Sequence, residues 1–240
     1  MKTGISRPTQ GLEDTRAMLR LAEIHGFEGV QFKPDQYADS GTPVTPEVFD
    51  QSYGSLARLV CSGLIVYCPA DLSAWPAQLL PVFDFAARVG AEQVCVCAGK
   101  LGAPHEEAGL RGVSLSLHNH VDSIFESEDD VLRMVDLLDP VFCGLTMDTA
   151  HFVKAGLTDL ASLIPRIRSH LLNVHLKDLN DAGQFCPLGR GRVDLRSLIE
   201  ALQAEGYADW LVVDEESKEV SHEEAFAVSR KFLQEVLDDN

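Results

Sequence analysis

The chain's 240 residues, 45% of them hydrophobic, suffice for one sizeable core, and no uninterrupted apolar run is long enough to span a bilayer. A formal net charge of −17 speaks against nucleic acid as a partner, because binding to a phosphate backbone draws most of its affinity from Lys and Arg. With no apolar leader-like run after the opening MKTGISRPTQ, the expectation is a soluble cytoplasmic protein with no membrane partner, forming a single domain over residues 1–240.

In chain order, short β-like runs alternate with amphipathic helical stretches. The strand KTGIS precedes the helix LEDTRAMLRLAEIHG; GVQFK precedes TPEVFDQSYGSLARLVC; GLIVYC precedes WPAQLLPVFDFAARVG; and QVCVCA follows. The second half reads VSLSLH, helix SEDDVLRMVDLL, CGLTMD, helix LTDLASLIPRIRSH, LNVHL, helix VDLRSLIEALQAEG, WLVVDE and a closing helix HEEAFAVSRKFLQEVL. Thr45-Pro46 and Ser127, each followed by acidic residues, read as helix starts, and Gly26, Gly90 and Gly206 as stops. Eight strands with intervening helices, at roughly thirty residues per unit, predict an α/β fold that is a single (β/α)8 TIM barrel. A doubly wound open sheet is the alternative, disfavoured because no glycine-rich turn follows the first strand.

The fourth unit is short. Only GKLGAPHEEAGLRG lies between QVCVCA and VSLSLH, too little for two loops and a full helix, so the fourth helix is expected to be truncated or missing. The hypothesis that follows is a homo-oligomer in which a neighbouring subunit covers the strand flank. His105, with Glu106 and Glu107, does not form an HExxH motif and reads as a solvated turn. The six cysteines, at 61, 68, 95, 97, 143 and 186, include no CxxC pair and read as free thiols of the core, as Trp210 reads as core. His25, His170 and His222 fall at helix ends, where dipole interaction or exposure accounts for them.

In a barrel of this kind the active site lies at the C-terminal strand ends. VSLSLHNH ends in His118, Asn119 and His120; CGLTMDTAH in Asp148, with His151 after it; LNVHLKD in His175 and Lys177; WLVVDEES in Asp214, Glu215 and Glu216. From His118 the steps to Asp148, His175 and Asp214 are 30, 27 and 39 residues, each close to one βα unit. Four successive strands that change from apolar to metal-ligand types at the same end point to a divalent metal. Imidazole nitrogen with carboxylate oxygen suits Zn, Mn, Fe or Co.

GLTMDTAHFVKAG, VHLKD and PLGRGRVDLRSLIEALQAEGYADWLVVDEES together resemble the xylose isomerase-like TIM barrel superfamily, and in particular its sugar isomerase/epimerase and inosose dehydratase-like branch. The resemblance runs over nearly the whole chain and is strongest from residue 112 to 216. It implies a metal site of four side chains from the late strands. By motif position, Asp148 and His175 carry over directly, while His118 and Asp214 stand where glutamates are usual. Glu216, on the same strand face as Asp214, is the alternative last ligand. Two imidazoles and two carboxylates favour transition metals or Zn over Mg.

The resemblance also implies an activity: enediolate chemistry on a small ketose, sugar phosphate or polyol, as an isomerase or epimerase of carbohydrate metabolism. Lys177, in the HLKD position, would lean toward the substrate oxygens, or else pair with Asp178 at the surface. His151 would bind a hydroxyl, shuttle a proton or simply cap the helix after it. Glu216 or His120 could be the base, and His120 could instead support His118. Arg190 and Arg192 could grip an anionic or polyol substrate or belong to a solvated loop, and Lys33 and Asp35 would line the pocket rim. Two other readings stay open: an inosose dehydratase-like lyase, and a barrel that binds a metal and a polyol without turnover. Endonuclease activity ranks behind both, given the charge.

Overall fold

The apolar runs pair in the order in which they occur along the chain. In a computed structural model that describes residues 1–54, 58–68, 72–98, 112–123 and 125–238, eight strands close into a barrel. They are β1 (Lys2–Ser6), β2 (Gly29–Phe32), β3 (Val60–Cys68), β4 (Gln93–Ala98), β5 (Ser114–His118), β6 (Cys143–Asp148), β7 (Leu171–Leu176) and β8 (Trp210–Asp214). Each pairs in parallel with the next, and β8 closes on β1. Every residue of β6 and β8 is buried, as expected of strands covered on both faces.

Around the barrel lie α1 (Leu12–Ile24), α2 (Pro46–Tyr53), α3 (Trp75–Val89), α4 (Glu128–Leu137), α5 (Thr149–Lys154), α6 (Leu195–Ala204) and α7 (His222–Asp238). Among the described residues no helix is long and apolar enough to cross a membrane. The start of α4 shows why the boundaries were readable. Ser127 Oγ accepts the Asp130 N–H at 3.2 Å, and the Asp130 carboxylate accepts the Ser127 N–H at 3.1 Å. Such a reciprocal cap contributes about 1 kcal/mol.

Three segments differ from the sequence expectation. The helix expected to run through LARLVC ends at Tyr53, and β3 starts at Val60 rather than Gly63. The Val60 N–H donates to the Glu28 carbonyl at 3.0 Å and Cys61 pairs with Val30, so ladder bonds claim these residues. LTDLASLIPRIRSH is broken into a 3-10 turn, a helical turn at Ile164–Ile167 and a second 3-10 turn. Pro165 lacks an N–H and is favoured in the first turn of a helix, and it opens the Ile164–Ile167 turn instead of continuing a helix from before it. The short helix α5 was not expected. The prediction of a truncated fourth helix, together with His105, Glu106 and Glu107, falls on 99–111, outside the described residues.

At the N-terminal end of the barrel the Trp210 indole packs over Gly29, where a Cβ would lie 2.5 Å from the ring. Its Nε1 donates to Glu92 at 2.7 Å. A side chain at Gly29 would evict the indole, which is buried as expected. The six cysteines are all free. At the opposite end the pairings set Cys97 beside His118, Asp148 beside His175 and Ser6 beside Asp214.

Candidate active site

Asp148 is the last residue of β6 and also the N-cap of α5, and this double position aims its carboxylate. Oδ1 accepts the backbone N–H of His151 at 3.0 Å. Asn119 holds the strand end from both sides, accepting the Asp148 N–H at 2.6 Å and donating to the Asp148 carbonyl at 3.1 Å. Oδ2 is left buried without a hydrogen-bond partner.

Two imidazoles converge on that oxygen. His118 Nε2 lies 3.5 Å from Asp148 Oδ2, His175 Nδ1 lies 4.0 Å from it, and the two nitrogens are 3.0 Å apart. A point equidistant from the corners of that triangle is about 2.1 Å from each, the length of a bond from Zn to imidazole or carboxylate. Opposite its Nδ1, His175 meets the acceptor oxygen of Gln31 on β2. That contact keeps the ring proton on Nε2 and leaves the Nδ1 lone pair facing the other two ligands. Burial pushes His175 down to about 3, so the ring is neutral. Burial also opposes charge on Asp148, but Lys177 and the imidazoles hold its carboxyl well below the usual range. Burial opposes charge on His118 as well, but Asp148 and Cys95 beside it together move the ring upward. Among the described residues, His118, Asp148 and His175 form the group that could hold a metal ion.

Asp214 stands apart from that group. Its carboxylate lies between two ammoniums, with Oδ1 3.0 Å from Lys33 and Oδ2 2.9 Å from Lys177. Glu216 Oε1 reaches the same pair, at 3.1 Å and 3.2 Å. Lys177 Nζ is also 3.7 Å from Asp148 Oδ2. Thr149 fixes the Lys177 backbone by accepting its N–H at 2.8 Å and donating to its carbonyl at 2.6 Å. The carboxylates raise both lysines above their ordinary range against burial, and the lysines hold Asp214 low.

These groups line a cavity of about 270 Å³ at the C-terminal mouth of the barrel. It lies below the size of drug-sized pockets, about 300–1,000 Å³, and suits a small metabolite. His151 and His120 share one wall, their rings 3.7 Å apart between centroids. His151 does not cap α5, since Asp148 does; its buried ring is pushed down to about 3 and its Nδ1 has no partner. His120 donates toward the Val121 carbonyl at 2.6 Å.

The remaining candidates fall elsewhere. Lys33 is buried inside the cavity rather than at its rim, and Asp35 accepts from Thr9. Arg190 pairs with Glu224 at 2.8 Å, and neither it nor Arg192 lines the cavity. Asp178 does not bind Lys177; its carboxylate accepts the backbone N–H groups of Leu179, Gly189, Gly191 and Val193 and so shapes the arginine-bearing loop. A Cβ on Gly191 would come within 2.1 Å of that carboxylate, so glycine is required. His170 is buried, with Nε2 3.2 Å from the Leu138 carbonyl. Sequence reasoning missed Gln31, Tyr67, Cys97 and Phe185. Gln31 left a signal, a polar residue two before Lys33 in an otherwise apolar strand; Phe185, in a two-residue strand that pairs with Leu179, left none.

Residues 19–236 match the family described as xylose isomerase-like TIM barrel, and the chain belongs to that family. The inosose dehydratase of Geobacillus thermodenitrificans is 27% identical over 154 residues, 57% of this chain and 51% of the relative. The chain thus spans about half the length of the curated relatives it matches. A probable 3-DHS dehydratase, AsbF, of Bacillus anthracis superposes with a TM-score of 0.78 at 13% identity, covering 98% of this chain and 99% of that one. D-allulose 3-epimerase of a Methylomonas species, in complex with D-allulose, gives 0.77 at 15% identity, covering 98% and 96%. At these identities the structural likeness speaks for the fold.

Proposed function

We propose that this protein is a cytoplasmic, divalent-metal-dependent enzyme that moves a proton at the carbon beside a ketone in a small sugar or cyclitol, as an isomerase or epimerase. The observation that carries the reading is the triangle of His118 Nε2, Asp148 Oδ2 and His175 Nδ1, whose centre lies at bonding distance from all three. The donor set fits a cation: a buried carboxylate oxygen without a partner, and an imidazole whose tautomer Gln31 sets. His118, Asp148 and His175 would hold it. Two imidazoles and one carboxylate favour Mn, Zn, Co or Fe over Mg. When bound, the ion supplies Lewis acidity toward a ketone and its neighbouring hydroxyl.

The chain's own groups do the rest. Glu216 is the partly exposed carboxylate of the cavity and takes the α-proton. Lys177 stays protonated and faces the negative charge that develops on substrate oxygen as the proton leaves. His151, a neutral imidazole with an unpartnered nitrogen, accepts or returns a hydroxyl proton, and His120 stacks on it and sets its angle. Lys33 holds substrate from the β2 side. Arg190 and Arg192 reach substrate only if their loop moves over the mouth.

A second reading, a lyase that removes the proton and then expels a β-hydroxyl, is favoured by the inosose dehydratases among the relatives. Incubation in deuterated buffer with a panel of ketoses, inososes and polyhydroxylated keto acids, followed by proton NMR, separates the cases. Deuterium at the carbon α to the ketone with a changed isomer supports isomerisation or epimerisation, and an enone product supports elimination. No exchange on any substrate, with Mn, Co, Zn or Fe supplied, overturns both.

A further inference from the structure

Lys33 and Lys177 are buried ammoniums, their side chains 5% and 4% exposed, and each touches the same two carboxylates. The inner one, Asp214, is sealed at 4% exposure. The outer one, Glu216, is 30% exposed. It stands where three spaces meet: the 270 Å³ cavity, a side cavity against Lys154 and Lys218, and an open groove of about 920 Å³ above the ends of β1 and β8. The backbone on one side of Glu216 is pinned, since the Glu215 N–H donates to the Ser6 carbonyl at 2.8 Å. On the other side, the Glu215 carboxylate accepts the Ser217 N–H at 2.7 Å. Side-chain rotation alone can therefore carry the Glu216 carboxylate off the lysines and into the groove.

We propose that the Lys33–Lys177 pair is a subsite for a carboxylate on the substrate, that Glu216 fills this subsite in the free enzyme, and that the substrates are polyhydroxylated keto acids rather than neutral sugars. The proposal rests on the reading of this cavity as the substrate site and narrows its substrate class. Exchanging one carboxylate for another leaves the charge beside the buried ammoniums unchanged, so no buried ion loses its partner. A neutral polyol has no such exchange: it either leaves Glu216 in place across the lysines or strips them of one counter-ion. The displaced Glu216 remains at the cavity wall, free of both ammoniums, where it can accept the α-proton.

Calorimetric titration of the chelator-treated protein with D-gluconate and with D-glucitol, one polyol chain with and without a carboxylate, tests this. Gluconate should bind about tenfold tighter or more, the size of a hydrogen bond to a charged group. Glu216→Gln removes the internal competitor, so it should tighten gluconate several-fold and leave glucitol unchanged. Lys33→Met should abolish the difference between the two ligands; if that variant fails to fold, Glu216→Gln decides alone. Equal affinities, no binding of gluconate to either protein, or weaker gluconate binding by Glu216→Gln would each overturn the proposal. Proton exchange on neutral ketoses without a gluconate preference would remove the subsite and keep the reaction. A gluconate preference without exchange on any neutral sugar would remove the neutral-sugar reading and keep the subsite.

Discussion

His118 Nε2 and His175 Nδ1, from β5 and β7, the two strands that flank β6, face each other at 3.0 Å inside the barrel, and both residues are almost wholly shielded from solvent. With their protons on the far nitrogens, two neutral imidazoles so placed would set lone pair against lone pair. A shared proton or a shared cation resolves the conflict, and Asp148 Oδ2 beside them favours the cation. The same oxygen tells the two functions of Asp148 apart. Asp148→Asn keeps a good N-cap for α5 but removes the charge. It should leave the circular dichroism spectrum unchanged and weaken metal binding at least about tenfold, measured by competition with a chromophoric chelator.

Gln31 acts on the site through His175. Gln31→Leu removes the acceptor that holds the proton on Nε2, and metal affinity should fall about 10- to 100-fold. Gln31→Glu restores an acceptor and should recover much of that loss. Equal loss in both variants would make the role one of packing.

The pH dependence of stability has a worked sign. His151 and His175 are pushed down to about 3 by burial, while the unfolded chain titrates near 6.5. Below that value the unfolded state takes up two protons that the folded state refuses, so the metal-free protein loses stability as pH falls, toward a limit of about 2.7 kcal/mol per pH unit. His118, raised in the folded state, adds stability that is complete below its unfolded value and lost as pH rises through its folded one. Denaturant melts between pH 5 and 8 should show a maximum with its steeper limb on the acid side. His151→Gln should reduce that limb by about half.

Asp178 carries a structural prediction. Four backbone N–H groups converge on its carboxylate, two of them on glycines of the arginine-bearing loop. Asp178→Ala leaves partly buried donors without an acceptor and should cost about 2–4 kcal/mol, with faster amide exchange at 189–193.

Much of this was legible in the sequence, for identifiable reasons. The barrel follows from strand runs recurring once per unit, and His118, Asp148 and His175 stand out because each ends an apolar run. Val60 and Cys61 were assigned to a helix because LARLVC suits either period, and only pairing with β2 decides it. Asp214 was placed among the metal ligands from its strand position, yet its carboxylate lies between lysines. Lys33, which helps hold it there, follows β2, which only β1 separates from β8, yet it is remote in the chain, where spacing carries no information about distance. Gln31 shows the same limit: it meets His175 across 144 residues of chain.

The shared cation is the central claim, and anomalous diffraction recorded across the Mn, Fe, Co and Zn edges, from crystals grown without chelator, tests it most directly. The account predicts one peak, at about 2.0–2.3 Å from His118 Nε2, Asp148 Oδ2 and His175 Nδ1. No peak among those three atoms, or elemental analysis finding only Mg, would contradict it.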